Sequence, residues 1–174
     1  MTDDQLRTAL AALRGGDRAA FEDIYRGLST PVYTVLLRMT RERQSAEDLL
    51  QETFLKLYRQ PPGEEVRSPR AWIFRVARNL ALDYLRAARP GVPLEGADRA
   101  APERDHDARL DVEAALDRLS GEERALVTLH LNGGLKFREL AQVLDLPLGT
   151  ALRRYYAALD KLRGHLSESN GRTI

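Results

Sequence analysis

Apolar residues in this chain recur at three- and four-residue intervals and nowhere alternate, which restricts the fold more than any other feature. Positions so spaced share one face of an α-helix, whereas a half-buried strand needs a period of two. Phe21, Ile24, Tyr25 and Leu28 fall at i, i+3, i+4 and i+7. Val32, Tyr33, Val35, Leu36 and Met39 resume the pattern after Pro31. A break or kink is expected there, because proline lacks a backbone donor. Ser45 followed by Asp48 has capping-box spacing and predicts a helix through about Arg59. Leu49, Leu50, Thr53, Phe54, Leu57 and Tyr58 would face inward on it. Glu47, Asp48, Gln51, Glu52 and Lys56 would face outward. The expected fold class is all-α.

Pro61-Pro62-Gly63 ends that helix, and Ser68-Pro69 supplies an N-cap and a first-turn proline for the next. Ile73, Val76, Ala77, Leu80 and Tyr84 line its inner face. From Arg67 to Arg89 lie six Arg and one Asp, with Trp72, Phe74 and Tyr84 among them. From Pro90 the sequence changes to PGVPLEGADRAAPERDHD, where three prolines, two glycines and no periodicity read as a flexible linker. Charge follows the same division. Residues 1–90 hold 15 Lys/Arg against 12 Asp/Glu, residues 91–117 hold 3 against 8, and residues 118–174 hold 9 against 6. Two mildly basic helical domains, 1–90 and 110–174, are expected on an acidic tether spanning 91–109.

The second domain carries a more specific pattern. Ser120 and Glu123 form a capping-box pair, and their helix should stop at Gly133-Gly134. Phe137, Leu140, Ala141 and Leu144 share one face, and Ala151, Tyr155, Ala158 and Leu162 share another after Asp145-Leu146-Pro147-Leu148-Gly149-Thr150. Two helices joined by a short turn match a helix-turn-helix, whose second helix can enter a major groove. Leu152, Arg153, Tyr156, Ala157 and Asp160 would point outward. Arg153 could grip a guanine through both acceptor atoms, while Lys136, Arg138 and Arg154 are better placed for phosphates. On spacing alone, DNA binding is favoured over the alternative of an ordinary helical hairpin with solvated arginines.

Composition excludes other classes. The absence of Cys removes disulfide scaffolds, thiolate zinc sites and Cys nucleophiles. No apolar run approaches the roughly 20 residues of a membrane span, and MTDDQLRTAL lacks the layout of a secretory signal. A soluble cytoplasmic protein without membrane insertion is expected. Glu103-x-x-His106 has the spacing of di-iron bundles, which need a second copy and further glutamates. There is no P-loop. Neither catalysis nor any cofactor or metal is expected.

Taken together, AEDLLQETFLKLYR, SPRAWIFRVARNLALDYLRAAR and LSGEERALVTLHLNGGLKFRELAQVLDLPLGTALRRYYAALDKLR resemble an extracytoplasmic-function (ECF) sigma factor of bacterial RNA polymerase. The likeness runs from about Asp17 to Leu166. It implies a first domain that binds the polymerase clamp and opens the −10 promoter element, and a second that reads the −35 duplex. Asp48, Gln51, Glu52 and Lys56 would then meet core polymerase. Arg75, Arg78, Asn79 and Arg86 would meet −10 DNA, with the chain leaving regular helix near Asn79 to capture a flipped base. Lys136, Arg138, Thr150, Arg153, Arg154 and Tyr156 would meet −35 DNA. The lone Trp72 reads as core.

The resemblance also implies an anti-sigma partner, and two domains that pack together and conceal their basic surfaces. Two departures are visible. The loop PPGEEVRS carries no aromatic, and Ala157 and Arg153 stand where many relatives have an Arg and a small polar residue. The preferred −35 sequence should differ accordingly. The alternative is a helix-turn-helix DNA-binding regulator that does not act through polymerase.

Overall fold

The computed structural model describes residues 1–88 and 108–170, and among them every regular element is a helix. The expected acidic linker lies mostly outside the described residues, as does Glu103-x-x-His106. The first half comprises α1 (Asp3–Arg14), α2 (Arg18–Thr40), α3 (Arg43–Arg59) and α4 (Pro69–Ala88). The second comprises α5 (Ala108–Asp117), α6 (Gly121–Leu131), α7 (Phe137–Val143) and α8 (Leu148–Asn170).

α2 is the central element and packs against α1, α3, α4 and α6. It runs unbroken through Pro31, against the expected interruption. Proline removes one donor to the carbonyl four residues back. Ile24 and Leu28 before it, and Val32, Val35 and Leu36 after it, are wholly buried, and that packing holds the two segments as one helix. α3 also departs from expectation. Its N-cap is Glu42, and Ser45 makes no capping bond to the backbone; its hydroxyl donates to Glu42 Oε2 at 2.6 Å. In α4 the Ser68 hydroxyl accepts from the Ala71 amide at 3.2 Å, the cap anticipated for Ser68-Pro69.

α4 is continuous through Asn79. The excursion from helix implied there by the family resemblance is absent, and the unbroken helical periodicity holds. No Gly or Pro interrupts residues 70–88, and Ala77, Leu80 and Ala81 stay buried at helical spacing on both sides of Asn79. In the second half, Ser120 and Glu123 make the reciprocal capping box that opens α6. α6 gives way at Asn132 to Gly133 and Gly134, and Gly134 has φ +67°.

The two halves share one apolar core. Leu28, Val35 and Phe74 of the first half belong to the same buried cluster as Leu126, Leu129, Leu135 and Leu140 of the second. A smaller cluster of Leu116, Leu119, Val127, Tyr155 and Ala158 seats α8 on α5 and α6.

Candidate polymerase and nucleic-acid interfaces

The helix-turn-helix consists of α7, a short turn and α8. Asp145 in the turn has φ 52°, a left-handed conformation that Asp tolerates better than most residues. Leu140, Ala141 and Leu144 are buried in the main cluster with Ala151, while Tyr155 and Ala158 are buried in the smaller one. Phe137 meets Tyr155 edge-on at 5.1 Å between ring centroids and stacks on His130 at 4.7 Å. The His130 Nδ1 lies 2.8 Å from the Leu135 carbonyl, so this histidine is a packing residue. Burial raises the Tyr155 hydroxyl above its ordinary range, with the neighbouring Tyr156 adding to the effect.

The opposite face of α8 is open. Arg153, Tyr156, Ala157 and Asp160 are exposed, Tyr156 by 57%, and Thr150 and Leu152 are half-buried at its start. Arg153 and Arg138 make no hydrogen bond or ion pair to a described residue. Lys136 lies 3.7 Å from Asp3 while remaining largely exposed. Arg154 is tied to Glu122 of α6. The six −35 positions therefore gather around the start of α8 and the N-terminus of α7, with Arg153 and Arg138 the least encumbered.

On α4, Arg75, Arg78, Asn79 and Arg86 follow helical spacing along one stripe. Arg75 and Asn79 are exposed, and Arg78 is half-buried. This stripe faces the second half at Arg75, which pairs with Asp145 of the helix-turn-helix at 3.1 Å. Arg86 pairs with Asp83 at 3.2 Å on its own helix. Desolvation lowers the Arg78 guanidinium from its ordinary range, although Asp145 and Glu122 act in the other direction. Trp72 is half-buried against the core, as its reading as core requires.

On α3, Asp48, Gln51, Glu52 and Lys56 are all exposed. Two local contacts hold the face: Gln44 to Asp48 at 3.2 Å and Lys56 to Glu52 at 3.6 Å. Pattern reading missed what lies beside it. Tyr58, expected to face inward, is 41% exposed, next to Leu55 at 45% and Tyr25 at 40%. Phe21, Tyr25, Phe54 and Tyr58 form an aromatic cluster with centroid distances of 4.8 to 6.5 Å. The polar face thus has an aromatic border, which periodicity could not separate from core.

Among the described residues, no three His, Asp or Glu side chains converge as a metal site, and no helix is long and apolar enough to cross a membrane.

Comparison with known proteins agrees with this geometry. The family described as Sigma-70 region 2 matches residues 24–90, and Sigma-70, region 4 matches residues 109–162. The chain is 32% identical to the ECF RNA polymerase sigma factor SigE of Mycolicibacterium smegmatis, over 91% of its own length and 67% of that protein's. It is also 32% identical to the ECF RNA polymerase sigma factor RpoE of Cereibacter sphaeroides, over 96% of its length and all of that protein's. Among solved structures, the sigma factor RpoE of Bartonella quintana, in complex with the anti-sigma factor NepR, superposes with a TM-score of 0.67. That match has 22% identity and covers 84% of this chain and 96% of the other, so it speaks to fold. With both sigma regions in order, and relatives of this identity matched across most of their length, the chain belongs to the ECF RNA polymerase sigma factors.

Proposed function

We propose that the chain binds bacterial core RNA polymerase through α3 and directs promoter-specific transcription initiation, with α4 on the −10 element and α8 on the −35 duplex. One observation carries the reading: a single chain couples an exposed polar α3 face and an arginine stripe on α4 to a helix-turn-helix whose reading face is open. A regulator acting without polymerase needs only the last of these. The division of labour is residues 1–90 for polymerase and −10 DNA, 91–109 as linker, and 110–174 for −35 DNA.

Asp48, Gln51, Glu52 and Lys56 supply the polar contacts to polymerase, bordered by Leu55 and Tyr58. Arg78, Asn79 and Arg86 flank single-stranded −10 DNA, where cations neutralise phosphates and an amide reads a base edge. Arg75 joins them once its pairing with Asp145 is released. Arg153, Tyr156 and Thr150 face the −35 bases, and Lys136, Arg138 and Arg154 meet phosphates. The protein works in the cytoplasm, where polymerase and promoters are. An anti-sigma partner fits as well, because the Bartonella quintana structure with the same fold holds its sigma factor with one.

The test is in vitro transcription with bacterial core polymerase across genomic fragments. Discrete promoter-dependent transcripts are expected, together with weak binding of the free protein to duplex promoter DNA until core enzyme joins. Tight promoter binding without polymerase, and no transcripts with it, would favour the simple regulator.

A further inference from the structure

A cavity of about 370 Å³ lies where the two halves meet. One wall is α4, with Arg78, Leu82, Leu85 and Arg86, and the opposite wall is α6, with Glu122 and Thr128. Its size lies at the small end of the roughly 300–1,000 Å³ usual for ligand sites.

Two polar groups on these walls make no hydrogen bond, one a half-buried cation and the other a buried hydroxyl. Arg78 is half-buried and makes no hydrogen bond or ion pair with a described residue. The carboxylates nearest its charge are engaged elsewhere, Asp145 by Arg75 and Glu122 by Arg154. Thr128 is 1% exposed, and its Oγ1 has no hydrogen-bond partner. A partly desolvated guanidinium without a hydrogen-bonded partner is costly, so Arg78 is the group on these walls that calls for a counter-ion.

The other arginines of the lining are already used. Arg38 donates to Asn132 and Glu113, and Arg124 to the carbonyls of Leu116, Asp117 and Leu119. The site thus offers one unpaired guanidinium, with Arg86 two turns further along the same helix, beside the apolar surface of Leu82 and Leu85.

We propose that this cavity binds a small amphiphilic anion, its carboxylate or phosphate head on Arg78 and its short apolar body between Leu82 and Leu85. A planar guanidinium suits either head group. The anion's apolar body also meets Ala125 of α6 on the other wall, so its binding favours the closed halves. The anion takes the Arg78 that the proposed function assigns to −10 DNA, so the two would compete. Its binding to the free protein is tested without polymerase or DNA and stands or falls separately from that reading.

The test is calorimetric titration of the full-length chain with octanoate, octyl phosphate, octanol and inorganic phosphate. At least one octyl anion should bind with one-to-one stoichiometry and raise the melting temperature, and the tighter of the two identifies the head group. Octanol and inorganic phosphate should bind at least about tenfold more weakly. Arg78→Gln should weaken the anion about tenfold or more, and Arg78→Lys should restore part of the loss. Leu82→Trp, which fills the cavity, should abolish binding while the chain still melts cooperatively. Absence of anion binding up to about 10 mM would overturn the proposal. So would octanol or inorganic phosphate matching the octyl anions, or Arg78→Gln binding like the parent.

Discussion

Adjacent arginines near the start of α8 are given different tasks by their surroundings. Arg153 is exposed and uncommitted, whereas Arg154 reaches back to Glu122 on α6. If Arg153 grips a guanine through both acceptor atoms, Arg153→Ala should cost about 1–3 kcal/mol and relax the preference at one base pair. Arg154→Ala should weaken all sequences alike and reduce the salt slope by about one. Selection from randomised −35 duplexes with holoenzyme separates the two. An Arg153→Ala profile matching the parent's would move Arg153 to the phosphate contacts. Arg124 shows what residue-level pattern reading cannot see. It is 7% exposed, and its guanidinium donates to three carbonyls at 2.9 to 3.0 Å, closing the turn from α5 to α6. In the sequence it is one more helical arginine. Arg124→Met should cost about 3 kcal/mol in denaturant unfolding, because the carbonyls it serves remain buried.

At the scale of elements, helix ends follow local chemistry only where the side chain has no better partner. Ser120 and Glu123 were legible as a cap because their spacing alone determines the reciprocal bonds, and Ser120→Ala should cost about 1 kcal/mol. Ser45 and Asp48 share that spacing, yet the helix already begins at Arg43, and Ser45 turns to Glu42. Burial would raise the Glu123 carboxyl, but hydrogen bonds from Lys161 and from Ser120 hold it below the usual range. A carboxyl depressed in the folded state contributes stability above its unfolded value of about pH 4.3. That contribution is lost as pH falls through the lower folded value, and Glu123→Gln should remove that part of the acid-side slope. The polar face of α3 was equally legible. Asp48→Lys with Glu52→Lys should weaken competition for core polymerase and leave the circular dichroism unchanged, since both residues are exposed. A double variant that competes normally would remove this face from the polymerase contacts.

The whole molecule is where the sequence is least informative. The halves meet through contacts between residues far apart in the chain: Arg38 with Asn132 at 2.6 Å, Ser68 with Glu139, and Arg75 with Asp145 at 3.1 Å. No local motif encodes such pairs, and the apolar residues that join the cores look like any other helix faces. Gly133 is the exception, read from the sequence as a helix stop but serving also at the junction. A Cβ there would lie 2.5 Å from the Leu129 carbonyl oxygen and 3.2 Å from the Phe74 ring of α4. The overlap with the Leu129 carbonyl forces the turn after α6 to shift, and Gly133→Ala should displace it against the Phe74 ring of α4, at about 1–3 kcal/mol as for overpacking elsewhere. Its radius of gyration in solution scattering should increase with helicity retained. Binding of single-stranded −10 DNA by the free protein should strengthen as Arg75 is released from Asp145 and Arg78 is uncovered. Gly134→Ala is the control. At φ +67° it should cost about 1–2 kcal/mol of backbone strain, but its Cβ would meet nothing closer than Arg70 Nη1 at 4.0 Å, so the radius should not change. Equal radii for the two variants would show that the close approach at Gly133 does not hold the halves together.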